Sequence, residues 1–172
     1  MTITTYVRGL DETIARLERL ENNLEQYASE IVSRLALIGY DVAYQIMAGH
    51  IYSGETIDSL TIVENDPTHY TLMASSKALL FFEFGAGVNG GGHPQAGQFG
   101  FGPGTYPGQT HAFDPNGWYY PTDDPALIVA YGKDGQWLGH SYGNPPHMPM
   151  YNASQRIRQD LLTVAREVFA GD

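Results

Sequence analysis

Between Ile14 and Ile46, apolar residues fall at Ile14, Leu17, Leu20, Leu24, Tyr27, Ile31, Leu35, Ile38, Val42 and Ile46. Steps of three and four put them on one helical face. Leu17, Leu24, Ile31 and Ile38 are also seven apart, the spacing of a coiled-coil seam, although an ordinary core-facing helix gives the same pattern over so few turns. Asp11 is the expected N-cap, and Glu12 is well placed against the helix dipole. One helix over 11–50 would be about 60 Å long at 1.5 Å per residue. A compact domain of this length has a radius of gyration of only about 16 Å. The sequence therefore predicts either a break, near Asn22–Asn23 or Gly39, or a helix that overhangs its own domain and packs on another chain.

The 172 residues predict a single domain over 1–172, long enough to bury about 70% of its unfolded surface without covalent staples. Three regions divide it: a helical part, 1–51; a β-rich part with long loops, 52–141; and a Pro/Met segment with a C-terminal helix, 142–172. There is no cysteine, so disulfides, thiol nucleophiles and Cys-type zinc sites are excluded, and a reducing compartment suits the chain. The opening MTITTYVRGLDETIARL lacks a signal-peptide core, and no apolar run approaches a membrane span. Synthesis and folding in a cytoplasm are expected. A net charge of −10 argues against gripping a nucleic-acid backbone. Lys77 and Lys133 are the only Lys or Arg between residues 63 and 147.

TIDSLTIVEN and HYTLMASS read as short β segments, with Asn65-Asp66-Pro67 as the turn between them. The run Ala78 to Phe84 is a buried strand or a short helix, and periodicity does not decide between them. Gly85 to Gly108 reads as a long glycine-rich loop, of the kind that is functional or disordered. Further β-like stretches lie at Gly117–Pro121 and Leu127–Tyr131, and Lys133-Asp134-Gly135 is a hairpin-type turn before Gln136-Trp137-Leu138. The last helix carries an apolar stripe of Ala153, Ile157, Leu161, Val164 and Val168, keeps Arg156, Arg158, Asp160 and Arg166 outside it, and stops at Gly171. Ahead of it, YGNPPHMPM is charge-free and stiff. It suits a core joint, a pocket wall or a partner surface, with Pro149 in the first helical turn, where its missing N–H costs nothing. Met150 and Ala153 are expected in the chain's own core, whereas Met148 and Tyr151 offer adaptable contact.

Catalytic patterns are sparse. His93, His111, His140 and His147 have no spacing that sets two ligands on one helical face, so a metal-dependent hydrolase would need a loop-built site. Asp123-Asp124 reads as a solvated turn before Pro125. As a carboxylate pair for glycan chemistry it lacks the separation that retaining enzymes use. FGAGVNGGG is not a dinucleotide fingerprint, and neither Ser53 nor Ser141 lies in a nucleophile elbow. Trp118, Tyr119, Tyr120, Trp137 and Tyr142 offer stacking surface, and the scarcity of nearby cations favours a protein interface over nucleic acid. A carbohydrate-binding or glycan-processing module using Trp118, Tyr119, Tyr120, Asp123 and Asp124 is the rival reading.

Three stretches fall in a telling order: Ser53-Gly54 with Ile57, Ser59 and Leu60; then Phe82-Glu83-Phe84-Gly85; then Gly143-Asn144-Pro145-Pro146 with Met150 and Ala153. This order resembles that of the head–tail joining, or neck and tail-completion, proteins of long-tailed bacteriophages. In that pattern a Glu-Phe-Gly-Thr element closes a strand and a Pro-rich segment opens the C-terminal helix. The chain departs from it at Thr56, Ala86, Met148-Pro149 and Asn152. The resemblance implies an α+β fold: a long N-terminal helix and a C-terminal helix packed on a small antiparallel sheet, with a long Gly/aromatic-rich loop insertion. It implies a non-enzymatic virion protein without cofactor or bound metal, acting at the head–tail junction or as a tail completion or terminator protein. The partners implied are further copies in a hexameric or dodecameric ring and neighbouring head-connector or tail proteins. Genomic DNA would pass through the ring without specific binding. The expected assembly surface is Phe82, Phe84, Gly85, Trp118, Tyr119, Tyr120, Pro145, Pro146, Met148 and Tyr151. The Gly85–Gly108 loop and the 142–151 segment are expected to order as the ring forms.

Overall fold

A computed structural model describes residues 9–50, 54–76, 78–90, 96–101, 104–105, 110–111 and 113–171. The fold is α+β. Helix α1 runs unbroken from Leu10 to Gly49, 40 residues, or about 60 Å. Neither Asn22–Asn23 nor Gly39 interrupts it. The Leu-, Ala-, Glu- and Arg-rich composition and the absence of proline explain this continuity. Asp11 is not the N-cap. Gly9 takes that position with φ 83°, and Asp11 and Glu12 lie inside the first turn, where their charge still favours the helix.

The partner of α1 is helix α4, Pro149–Ala170. The two run antiparallel. Ala43 and Met47 share a cluster with Ala153, and Tyr27 and Leu35 share another with Val164 and Val168. Gly39 makes the crossing close, since a Cβ there would stand 2.6 Å from Cδ1 of Ile157. Of the stripe expected on α4, Ala153, Val164 and Val168 are buried and Ile157 is half-buried, but Leu161 is exposed. Leu161 lies about 80° round the helix from Ala153, at the edge of the stripe.

The β structure is three small antiparallel sheets rather than one. Strands β1 (Thr61–Asp66) and β2 (His69–Met73) form a hairpin. Its Leu72 packs on the cluster around Met47. The expected β segment beginning at Thr56 is corrected in its first half, where Gly54–Asp58 forms a helical turn, α2. There Leu60 N–H bonds back to the Ile57 carbonyl. The run of large apolar residues before Gly85 is a helix, α3 (Leu79–Phe84), not a strand. After it come β3 (Ala86–Gly87), β4 (Trp118–Pro121), β5 (Ala130–Tyr131), β6 (Trp137–Ser141) and β7 (Gly143–Asn144). β6 lies between β4 and β5, while β3 pairs with β7. Of the Leu127–Tyr131 stretch only β5 is strand, and the Lys133–Gly135 turn joins it to β6 as expected. Among the described residues, no helix is long and apolar enough to cross a membrane.

Candidate functional site

The stiff segment before α4 is held by its own chain. Asn144 Nδ2 donates to the Phe81 carbonyl at 2.9 Å, and His147 N–H donates to the Phe82 carbonyl at 3.0 Å. Ala86 and Gly87 pair with Asn144 and Gly143. Gly143 is required there: its φ is +91°, and a Cβ would fall 1.7 Å from the Ala86 carbonyl oxygen. The 142–151 segment is thus a strap across α3 and β3.

At the end of the strap sits a helix cap supplied from a distance. The first turn of α4 opens with Met148 as N-cap, in the left-handed region at φ 56°, and it makes no side-chain cap bond. Pro149 follows at the first helical position, where no N–H needs a partner. The next two N–H groups, of Met150 and Tyr151, donate to Glu83 Oε2 at 3.0 Å and Oε1 at 2.9 Å. A carboxylate at this place satisfies two of the helix's orphan donors and sits at the positive end of its dipole. Glu83 is only 7% exposed, so water does not compete for these bonds. Sequence reasoning missed this role. The available signal was one acid in the middle of the apolar run LLFFEF, which buries only if paired.

Beside this clamp lies a cavity of about 510 Å³. Phe81 and Phe82 of α3, Ala86 and Gly87 of β3, and Trp118 and Tyr120 of β4 supply much of its wall. Gly143, Asn144 and His147 close the strap side, and His50, just past α1, and His111 complete the aromatic lining. Phe82, His147 and His50 form a continuous stack, with ring centroids 4.7 Å and 4.1 Å apart. His111 lies 5.5 Å from Trp118 and nearly parallel to it. Burial, and then the neighbouring His50, hold the His147 pKa below the ordinary histidine value. The place of His50 was not legible in the sequence, since only the fold brings it against residue 147.

The expected surface residues divide. Phe82, Trp118 and Tyr120 line the cavity, and Phe84 stacks on Phe101 at 4.5 Å. Gly85 is buried. Pro146, Met148 and Tyr151 are half-buried in the strap and first turn, whereas Tyr119 and Pro145 are exposed. Strand alternation turns Tyr119 away from the cavity, edge-on to His140 at 4.6 Å.

The glycan set is likewise split. Trp118 and Tyr120 face the cavity, but Asp123 and Asp124 do not line it. Asp124 Oδ1 accepts the Ala126 N–H at 2.9 Å within an exposed turn. Of the four histidines weighed as ligands, His111 and His147 reach the cavity wall, His140 packs between Tyr119 and Tyr142, and His93 lies outside the described residues. Among the described residues no three His, Asp or Glu side chains come together as a metal site.

Part of the glycine-rich loop is likewise tied down. Asn89 N–H donates to the Tyr142 carbonyl at 3.2 Å, and Phe101 packs on Phe84. Residues 91–95, 102–103 and 106–109 lie outside the described residues. Comparison of the chain with family models, with curated proteins and with solved structures finds no match.

Proposed function

We propose that this is a non-enzymatic structural protein of a long-tailed phage virion, assembling as a ring at the head–tail junction or at the tail end. The observation that carries the reading is a convergence. The three stretches whose order resembles the neck proteins are far apart in sequence, yet they meet in one hydrophobic cluster. Ile57 and Leu60 come from the first, Phe82 from the second, and Met150 and Ala153 from the third. Glu83 of the second stretch then caps the helix opened by the third. Residues that pack together are expected to be retained together, which is how a family pattern of this kind arises. The overhang of α1 adds support, because an amphipathic helix longer than its own core offers apolar surface to a neighbour. The partners are further copies in a hexamer or dodecamer and adjoining connector or tail proteins, with DNA passing through unbound.

Disrupting the gene in its phage genome and imaging the particles tests this. Packaged heads beside separate tails, or tails of uncontrolled length, are expected; normal infectious virions would overturn the assignment. The aromatic cavity favours one other reading, a binding module for a flat-faced ligand such as a sugar, with Trp118 and Tyr120 as stacking surfaces. Saturable glycan binding that is lost in Trp118→Ala would favour that module.

A further inference from the structure

The first half of α1 leaves an apolar stripe uncovered. Leu10, Ile14, Leu17 and Leu24 are all exposed, Leu17 at 59%. They share one face by helical spacing. One border of that face is acidic, since Asp11, Glu18 and Glu25 follow one another at intervals of seven, and by helical spacing Glu21 adds a carboxylate within the face, on the Ile14 side of Leu17. Arg16 and Arg19 lie elsewhere on the helix, bordering Phe169 at the end of α4 together with Leu20.

A second uncovered surface has the opposite sign. On α4 the side away from the core carries Leu162, 67% exposed, with Arg158 one turn before it and Arg166 one turn after; Leu161 beside them is also exposed. No acid shares that side: by helical spacing Asp160 and Glu167 lie towards α1, where Glu167 reaches Arg34. Among the described residues, neither Arg158 nor Arg166 has an ion-pair partner.

We propose that the stripe on the first half of α1 docks on the outer face of α4 in a second copy of this chain. Leucines meet leucines at the centre, and the acidic border of α1 meets Arg158 and Arg166. The lengths agree: residues 10–24 span about 21 Å and residues 155–169 span the same. Pairing α1 with α1 of another copy would instead bring the acidic borders together, at a repulsive cost. Because the two surfaces differ, each copy retains a free donor and a free acceptor after one contact forms, and repetition closes a ring where the rotation allows. This deepens the ring assembly proposed above and rests on it.

The absence of cysteine makes the test direct. Leu17→Cys and Leu162→Cys variants of the full chain are mixed at high concentration and low salt, and oxidised. The expected product is the mixed disulfide-linked dimer. Charge reversal by Glu18→Lys with Glu25→Lys, or by Arg158→Glu with Arg166→Glu, is expected to lower its yield roughly tenfold. Combining the two reversals should restore it. The reversed sites are exposed, so loss of folding does not explain a loss that the combination repairs. Dominant self-linking of the Leu17→Cys variant would overturn the proposal in favour of α1–α1 pairing. Sedimentation of the unmodified protein separates the remaining outcomes. Oligomers without the mixed link overturn this contact but leave the ring standing. A monomer at every concentration, with no ring in purified particles, overturns both.

Discussion

Replacing Glu83 is the sharpest perturbation of the clamp. Its two carboxylate oxygens accept the N–H groups of Met150 and Tyr151 at 3.0 and 2.9 Å. Hydrogen bonds to a charged group contribute about 1.5–3 kcal/mol each. Truncating an ordinary N-cap to alanine costs about 0.5–2 kcal/mol. Glu83 is 7% exposed, so Glu83→Ala strands both donors away from solvent and belongs above the ordinary cap range, at about 3 kcal/mol. For a chain of this length that corresponds to a fall of about 6–12 °C in Tm. Glu83→Gln keeps one acceptor but turns an NH₂ towards the other donor, and an intermediate loss of about 1.5 kcal/mol follows. Glu167→Ala, at the solvent-exposed edge where α4 meets α1, is the control, because its ion pair with Arg34 is solvent-screened and contributes less than about 1 kcal/mol. Urea unfolding followed by circular dichroism reads all three. A Glu83→Ala unfolding free energy within about 0.5 kcal/mol of the parent would refute the remote cap.

Three further outcomes are expected. Gly143→Ala should lose at least about 2 kcal/mol by the same urea assay, since positive φ and a backbone clash act together and no flexible side chain stands in the way to yield; its Cβ would meet the Ala86 carbonyl oxygen. His147 has a depressed pKa in the folded protein, so between that value and the ordinary 6.5 the unfolded chain binds more protons. Its contribution therefore falls as pH drops below about 6.5 and is level above, and a Tm-against-pH curve for His147→Gln should be flatter than the parent's in that range. Trp118→Ala should enlarge the cavity and lower stability by about 3 kcal/mol or less, as Trp118 is only half-buried. Calorimetry with oligosaccharides should show no heat in either protein.

How much was legible follows from which interactions are local. The α1 and α4 helices are written in three-and-four spacing, and the β1–β2 turn and the Lys133–Gly135 turn in residues suited to turns. What failed to read depends on distant partners. Leu79–Phe84 has no decisive period; the helix ends at Gly85, at φ 84°, and the chain runs on into β3, which pairs with the strap. Ile14, Leu17, Leu24 and Leu161 fit their stripes but are exposed, since periodicity names a face without saying how far along the helix a partner extends. Of the candidate surface, the aromatic character of Trp118 and Tyr120 was readable, but their turning into a cavity, with Tyr119 turned out, needed the β4 register. The cap by Glu83 spans 67 residues to Met150, and no local rule anticipates it.

Cap and overhang are physically connected. A free helix of about 15 residues is marginal in water, because nucleation is costly while propagation adds a bond for each residue fixed. The first half of α1 escapes that cost by continuing a helix already docked. Residues Leu35 to Met47 lie against α4 and the β1–β2 hairpin, and α4 is fixed at its start by Glu83. Helix therefore propagates from Tyr27 back towards Leu10 without a new nucleus, and the exposed leucines are presented in one row before any partner arrives. A pre-formed row spares an association the backbone entropy that a disordered arm would lose on binding. Weakening the cap then acts at two places. It loosens the start of α4 directly, and it weakens the support from which the first half of α1 extends, so Glu83→Ala should reduce cross-linking between Leu17→Cys and Leu162→Cys although residue 83 lies on neither surface.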